Sequence, residues 1–122
     1  MSLATSAPKL NVYHESINFV SWVSELLESV PKSMAVHGQL DRASTSVPLN
    51  IAEGNGKFTP KDRCKFFDNA RGSALECAAC LDVLVAKNKI DSDTSANGKA
   101  TLLDIVSMLV GLIRSNSPDR NA

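Results

Sequence analysis

The sequence lacks the features that mark exported, membrane-spanning or strongly basic proteins. Its 122 residues carry 13 Lys and Arg against 13 Asp and Glu, so no global field attracts a polyanion. No apolar leader follows the first methionine, and the longest apolar run, at 105–113, is too short to span a bilayer. Three cysteines, an odd number, favour reduced thiols. We therefore predict a cytoplasmic protein without a membrane partner.

No segment alternates apolar and polar residues with a period of two, so the sequence predicts no strands. Four segments instead carry apolar residues at helical spacing: from His14 to Pro31, from about Gln39 to Glu53, from Pro60 to Lys87, and around residues 102–113. Because the connections between them are short, they predict an all-α, up-down-up-down antiparallel four-helix bundle. Residues 12–116 would form this single domain, with flexible tails at 1–11 and 117–122.

Prolines and glycines set the predicted ends of the first two helices. Pro31 ends the first helix, and residues 32–38 connect it to the second. Pro48 lies inside the second helix, where it removes one backbone hydrogen bond and should bend the axis. Gly54 and Gly56 are expected to end that helix, since glycine tolerates a left-handed cap.

The third helix has the clearest start signal. Thr59 is a typical N-cap, Pro60 suits the first helical position, and Asp62 lies near the positive end of the helix dipole. The start of the fourth helix is left open, because Asn97 and Gly98 weaken its helical pattern.

Two rows of polar residues lie on the second and third helices at spacings of three and four. We expect these rows to face each other in a buried network that fixes helix register, because buried amides and carboxylates need partners. The alternative is an enzyme in which Glu53 and Glu76 form an acid/base pair. No nucleophile or histidine accompanies them, so we predict no catalytic residues and a non-enzymatic protein. The predicted network comprises Arg42, Ser46, Asn50, Glu53, Arg71, Ser73 and Glu76.

Cofactor and metal motifs are incomplete in this sequence. EGNGK at 53–57 has neither the glycine spacing nor the preceding strand of a phosphate-binding loop. The Glu-x-x-His motif of di-iron bundles does not occur. Cys77 and Cys80 lie mid-helix with only Cys64 as a third thiol, so we predict small buried side chains rather than zinc ligands. We expect no cofactor and no metal.

Charge is uneven although its sum is zero. Residues 54–71 contain five basic and two acidic residues, and four of the basic ones are candidate contacts for the phosphates of RNA or DNA. Lys32 could extend the set. The same basic end could dock on an acidic face of a neighbour, or could be a solvated helix face. The four candidates are Lys57, Lys61, Arg63 and Lys65.

The apolar arc of the first helix is wider than one bundle core requires. We therefore predict that part of it covers a subunit interface of a homo-oligomer. The predicted interface residues are Phe19, Trp22, Val23 and Leu26.

Residues 39–76 carry a longer pattern: Q-L-x-R-A from Gln39, S-V-x-x-N-I-A-E-G from Ser46, and F-x-x-x-A-x-G-S-x-x-E from Phe66. This pattern resembles the bacterial four-helix-bundle family of rRNA intervening-sequence proteins. That family also includes the accessory variability proteins of diversity-generating retroelements. The similarity extends from about residue 10 to residue 116.

The resemblance implies a bundle that assembles into a ring, a pentamer, with no established enzymatic activity. Our leading hypothesis is therefore a non-enzymatic, homo-oligomeric scaffold or binding protein. For the retroelement branch the resemblance implies nucleic-acid binding and contact with a reverse transcriptase. The alternative hypothesis is thus an accessory protein that acts with a reverse transcriptase, or on RNA, through the basic end between the second and third helices.

Overall fold

The computed structural model describes residues 7–116 as four helices: α1 (Ala7–Leu27), α2 (Ala35–Asn55), α3 (Pro60–Ala86) and α4 (Ser92–Asn116). Each helix packs against the next in chain order, and α4 packs back against α1. Within this range there are no strands. The prediction of an all-α four-helix bundle is confirmed.

The largest fully buried side chains come from all four helices, so the core runs along the centre of the bundle. They form the rows that the apolar spacing predicted, and burying each large side chain contributes about 1.5–3 kcal/mol. They include Phe19 and Val23 of α1, Leu40, Val47 and Ile51 of α2, Phe67, Leu81 and Leu84 of α3, and Ile105 and Leu109 of α4.

Two helices begin earlier than the sequence pattern indicated. α1 begins at Ala7, so residues 7–11 are helical rather than part of a tail; residues 1–6 and 117–122 lie outside the described range. α2 begins at Ala35 and runs through Gly38. Its early turns are favoured because Val36 and Leu40 are both buried, which outweighs the cost of about 1 kcal/mol for a helical glycine.

The end of α2 corrects the predicted role of its glycines. The helix runs through Gly54 to Asn55, and Gly56 has a φ of −86°, so no left-handed cap forms. Gly54 is required for a different reason: a Cβ there would lie 2.6 Å from the ring of Phe67. Close packing of α2 on α3 therefore explains this glycine. Pro48 is buried inside the continuous helix, and a bend at this position stays a prediction.

α3 begins as predicted, since the Thr59 hydroxyl accepts a hydrogen bond of 3.1 Å from the backbone N–H of Asp62. α4 begins at a cap that the sequence analysis missed, because Asp91 Oδ1 accepts from the N–H of Thr94 at 2.7 Å. The helix then passes through Gly98, where a Cβ would lie 2.6 Å from the ring of Trp22.

Among the described helices, α4 alone is long and apolar enough to cross a membrane by length and composition. The core helix of a globular bundle passes the same test. In this structure α4 buries one row of apolar side chains in the bundle core: Leu102, Ile105, Leu109, Leu112 and Ile113.

Candidate functional site

The polar rows meet at three residues on the α2–α3 face. The hydroxyls of Ser46 and Ser73 lie 2.9 Å apart, joining the two helices. The Asn50 side-chain amide donates to the backbone carbonyl and to the hydroxyl of Ser46, both at 2.9 Å. All three side chains are half-buried. This small network ties the register of α2 to that of α3, because the hydrogen bond between Ser46 and Ser73 forms in only one alignment of the two helices.

The charged members of the predicted network do not join it. Glu53 and Glu76 are exposed, and Glu53 pairs instead with Lys57 at 3.5 Å. Arg42 is exposed, and Arg71 pairs with Asp68 at 3.2 Å within α3. The prediction of a buried network was wrong for these four residues. An exposed carboxylate keeps its hydration, whereas a buried one would need several strong partners.

The predicted interface on α1 also needs correction. Phe19 and Val23 are each only 1% exposed and belong to the chain's own core. The Trp22 ring stacks on Phe19 with centroids 5.7 Å apart and reaches Gly98 of α4. Leu26 is half-buried against the same core. The wide arc exists because α1 packs against two neighbours, α2 and α4, and the large apolar side chain that α1 exposes is Ile17, at 41%.

Large apolar side chains are exposed elsewhere. Leu49 on α2 is 61% exposed and borders a groove of about 330 Å³ beside Ser46 and Asn50. Leu75 on α3 is 50% exposed and Leu103 on α4 is 66% exposed. All three leucines lie outside the rows of buried residues on their helices.

Leu75 and Leu103 flank one face of the bundle. Asp82 of α3 pairs with Lys99 of α4 on the solvent-exposed surface, which places these two residues at the same level of the bundle. Leu75 lies seven residues before Asp82, and Leu103 lies four residues after Lys99, so each leucine shares a helix face with its half of the ion pair. The α3–α4 face therefore presents two exposed leucines that differ in level by about one helical turn.

The basic end lies where α2 ends and α3 begins. Lys61 and Lys65 are exposed on the first turns of α3. The ammonium groups of Lys57 and Lys65 lie 5.1 and 5.7 Å from the centre of the Phe66 ring, within cation–π range. Lys32 lies in the α1–α2 connection, which is at the opposite end of an up-down bundle, so it does not extend this set.

Arg63 has a different role from the three lysines. Its Nη1 donates to the carbonyls of Lys57, at 3.1 Å, and Phe58, at 2.7 Å, and its Nε donates to Asn116 at 2.8 Å. The guanidinium thus ties the α2–α3 connection to the end of α4. These bonds position the connection, and the contact of Arg63 with nucleic acid stays a prediction.

The sequence analysis missed Phe58, which the connection presents to solvent with 97% of its surface exposed. It lies between Lys57 and the start of α3, next to the exposed lysines. A signal was available: a large apolar residue between a glycine and a Thr-Pro start, with no apolar partner at helical spacing.

All three cysteines are buried, and burial raises the pKa of two of them. Burial raises the pKa of Cys77 to about 12, with further contributions from Cys80 and Glu76, and burial also raises the pKa of Cys80. Both thiols therefore stay protonated at neutral pH, and a protonated thiol is a poor metal ligand. Among residues 7–116, no group of His, Cys, Asp or Glu side chains is placed to hold a metal ion.

The structure defines a small helical-bundle protein. Its features are four antiparallel helices, the hydrogen-bonded network between α2 and α3, and the basic end. The family model described as 23S rRNA-intervening sequence protein matches residues 8–111. The chain belongs to this family.

Among solved structures, the chain is similar to a crystal structure from Bacteroides thetaiotaomicron, described as a protein with unknown function from the S23 ribosomal protein family. The TM-score is 0.83 over 88% of this chain and 98% of that one, with 19% sequence identity. At this identity the likeness shows the fold. No curated protein matches the sequence significantly.

Proposed function

We propose that this protein is a non-enzymatic helical bundle that acts by assembling with identical chains into a cytoplasmic ring, a scaffold or binding platform. The observation that carries the proposal is the exposure of Leu49, Leu75 and Leu103 on two different faces. A ring of five chains follows from the family resemblance.

Two different faces favour a ring over a simple dimer. A two-fold dimer buries the same patch on both chains, whereas a head-to-tail contact joins one patch to another and closes into a ring. Leu49 lies on α2, and Leu103 lies on α4, which does not contact α2. Placing the α2 groove of one chain against the α3–α4 face of the next would cover both patches.

The half-buried residues beside Leu49 suit such a contact. Ser46, Asn50 and Ser73 are already bonded to one another, so covering them leaves few unpaired groups. Covering an exposed leucine contributes about 1–2 kcal/mol. Each interface of a closed ring makes this contribution.

Native mass spectrometry and light scattering test the proposal at micromolar concentration. We expect a discrete oligomer for the wild type, and a loss of mass for Leu49→Lys and for Leu103→Lys. Ser24→Lys is a matched control, because it adds the same charge at an exposed position of α1, a helix that carries neither patch. A wild type that stays monomeric at tens of micromolar would contradict the proposal.

Mixing the two leucine variants distinguishes a head-to-tail contact from a two-fold one. Each variant keeps one intact face, so the mixture should form a pair with a single interface and no ring. A mixture that stays monomeric would show that the two leucines do not face each other.

A second candidate function is nucleic-acid binding through the basic end. It is favoured by Lys57 and Lys65, whose ammonium groups lie over the Phe66 ring, and by the exposure of Lys61 and Lys65 to solvent at the same end of the bundle. This end would also be the surface for contact with an RNA or with a reverse transcriptase, as in the resemblance-based alternative. The test is retardation of labelled RNA or DNA that weakens steeply as salt rises. Unretarded RNA and DNA at low salt would remove this candidate.

A further inference from the structure

Phe58 is the most exposed large apolar side chain of residues 7–116, with 97% of its surface in solvent, and it lies in the basic end of the bundle. A free phenylalanine at this position has no packing role in the chain. Lys57 precedes it, and Lys61 and Lys65 follow on the first two turns of α3. An exposed aromatic ring at the same end of the bundle as several lysines can stack a base while the lysines neutralise the flanking phosphates.

The backbone that carries Phe58 is held in place. Arg63 donates one hydrogen bond to the carbonyl of Phe58 and one to the carbonyl of Lys57. A third bond anchors the same guanidinium to Asn116 of α4. The ring is thus presented on a fixed support, and a fixed support lowers the ordering cost of binding.

We propose that Phe58 stacks on an unpaired base, so that the end of the bundle between α2 and α3 binds single-stranded nucleic acid. This inference rests on the second candidate function and adds a substrate class to it. A phenyl ring on a protruding connection can reach the face of a base only where that base is not already stacked in a duplex. Lys57, Lys61 and Lys65 would contact phosphates on either side.

Fluorescence anisotropy of a labelled 15-nucleotide oligo-dT, an oligo-U of equal length and a DNA hairpin tests this inference. We expect the two single strands to bind more tightly than the hairpin at 50 mM salt. Phe58→Ala should weaken single-strand binding about five- to hundredfold, and Phe58→Trp should retain it, because indole also stacks.

The salt dependence of the affinity distinguishes the contribution of Phe58 stacking from that of the lysine charges. Lys61→Gln should lower the slope of log affinity against log salt by about one, whereas Phe58→Ala should leave that slope unchanged. Lys89→Gln is the matched control, because Lys89 is an exposed lysine in the connection at the other end of the bundle. It should change neither the affinity nor the slope.

The outcomes separate the inference from the function on which it rests. Weaker binding for Lys61→Gln with full affinity for Phe58→Ala would overturn the stacking and leave nucleic-acid binding intact. Equal affinity for hairpin and single strand would overturn the single-strand preference. An absence of binding by the wild type at 50 mM salt would overturn both. If Phe58→Ala instead dissociates the oligomer in native mass spectrometry, the Phe58 side chain belongs to a contact between copies of the chain.

Discussion

The two connections at either end of α3 treat their apolar residue in opposite ways. The connection at 87–91 places Ile90 half-buried against the core, whereas the connection at 56–59 leaves Phe58 almost fully exposed. Both are short, and both carry lysines. A short connection in this fold can therefore bury a large side chain against the core. Loop length alone does not explain why Phe58 is exposed.

The two connections also differ in what holds them. At 87–91 the backbone folds on itself: Asn88 has a φ of 59°, and the N–H of Lys89 donates to the carbonyl of Leu84 at 2.9 Å. This is the bonding of a Schellman cap. At 56–59 no residue has a positive φ, and the Arg63 side chain holds the carbonyls. One connection is fixed by local backbone, and the other by a long-range side chain.

The largest expected effect breaks the support of the 56–59 connection. Arg63→Ala removes three hydrogen bonds from a charged group and should lower the free energy of unfolding by about 2 kcal/mol. Urea denaturation at unchanged m-value measures this. Lys61→Ala, an exposed neighbour, should stay within about 0.5 kcal/mol of the wild type. If both variants match the wild type, Arg63 does not hold the connection.

The next prediction tests the two apolar residues directly. Ile90→Ala should lower the free energy of unfolding by about 1–2 kcal/mol, less than at a fully buried site, because Ile90 is only half-buried. Phe58→Ala should change it by less than about 0.5 kcal/mol, since its ring has no packing to lose. Thermal unfolding followed by circular dichroism compares them. A larger loss for Phe58→Ala would mean that its ring packs in solution.

Substitution by alanine should change the free energy of unfolding in opposite directions at the C-terminal ends of α2 and α3. Asn88→Ala should destabilise by about 1 kcal/mol, because the short polar side chain of asparagine can hydrogen-bond locally in the left-handed region, whereas alanine has no such compensation. Gly56→Ala should stabilise by about 0.4–1 kcal/mol, since Gly56 has a negative φ and a Cβ there would lie 3.6 Å from the nearest atom. Chemical denaturation measures both. Equal signs would remove this difference between the connections.

The smallest expected effect is the loosening of the start of α4 at low pH, where Asp91 caps the helix. Hydrogen bonds from the Thr94 side chain and backbone lower the pKa of Asp91 below its ordinary value of 3.8. The folded pKa is depressed, so the stabilisation by Asp91 is complete above the ordinary pKa and is lost as pH falls through the folded pKa. Thr59, the corresponding cap of α3, does not titrate. Hydrogen exchange below pH 4 should therefore increase first at the start of α4.

The control for the acid prediction is Asp91→Asn, which keeps a capping side chain without the charge. In this variant the start of α4 should lose its extra sensitivity to acid. If the start of α3 loosens at the same pH as the start of α4, the carboxylate cap is not the cause.

The sequence predicted the fold well where local chemistry and periodicity agree. Thr59 and Pro60 marked the start of α3 correctly, because capping uses atoms within three residues of one another. The buried rows of α2 and α3 followed from the spacing of residues such as Leu40 and Phe67. Predictions failed where a distant contact decides, as at Gly38, which is helical because Val36 and Leu40 are buried on either side of it.

The candidate site was predicted only in part, for the same reason. Ser46 and Asn50 lie one turn apart on α2, so their meeting is a local matter, and Ser73 was placed opposite them by its own row. Glu53 and Glu76 share those rows, but their faces turn to solvent. Phe58 gave no periodic signal, because a lone residue in a connection has no helical neighbours to set its direction.

The amino-acid sequence by itself determined the four helices, the N-cap of α3 and the rows of buried apolar residues. Helix formation and amphipathicity depend on residues within two turns of each other. Only the tertiary structure decided that Arg63 holds a connection, that Gly54 and Gly98 admit aromatic rings, and that Phe58 and three leucines remain exposed. Those outcomes depend on how neighbouring helices fill space between them, and that is fixed by side chains far apart in the chain.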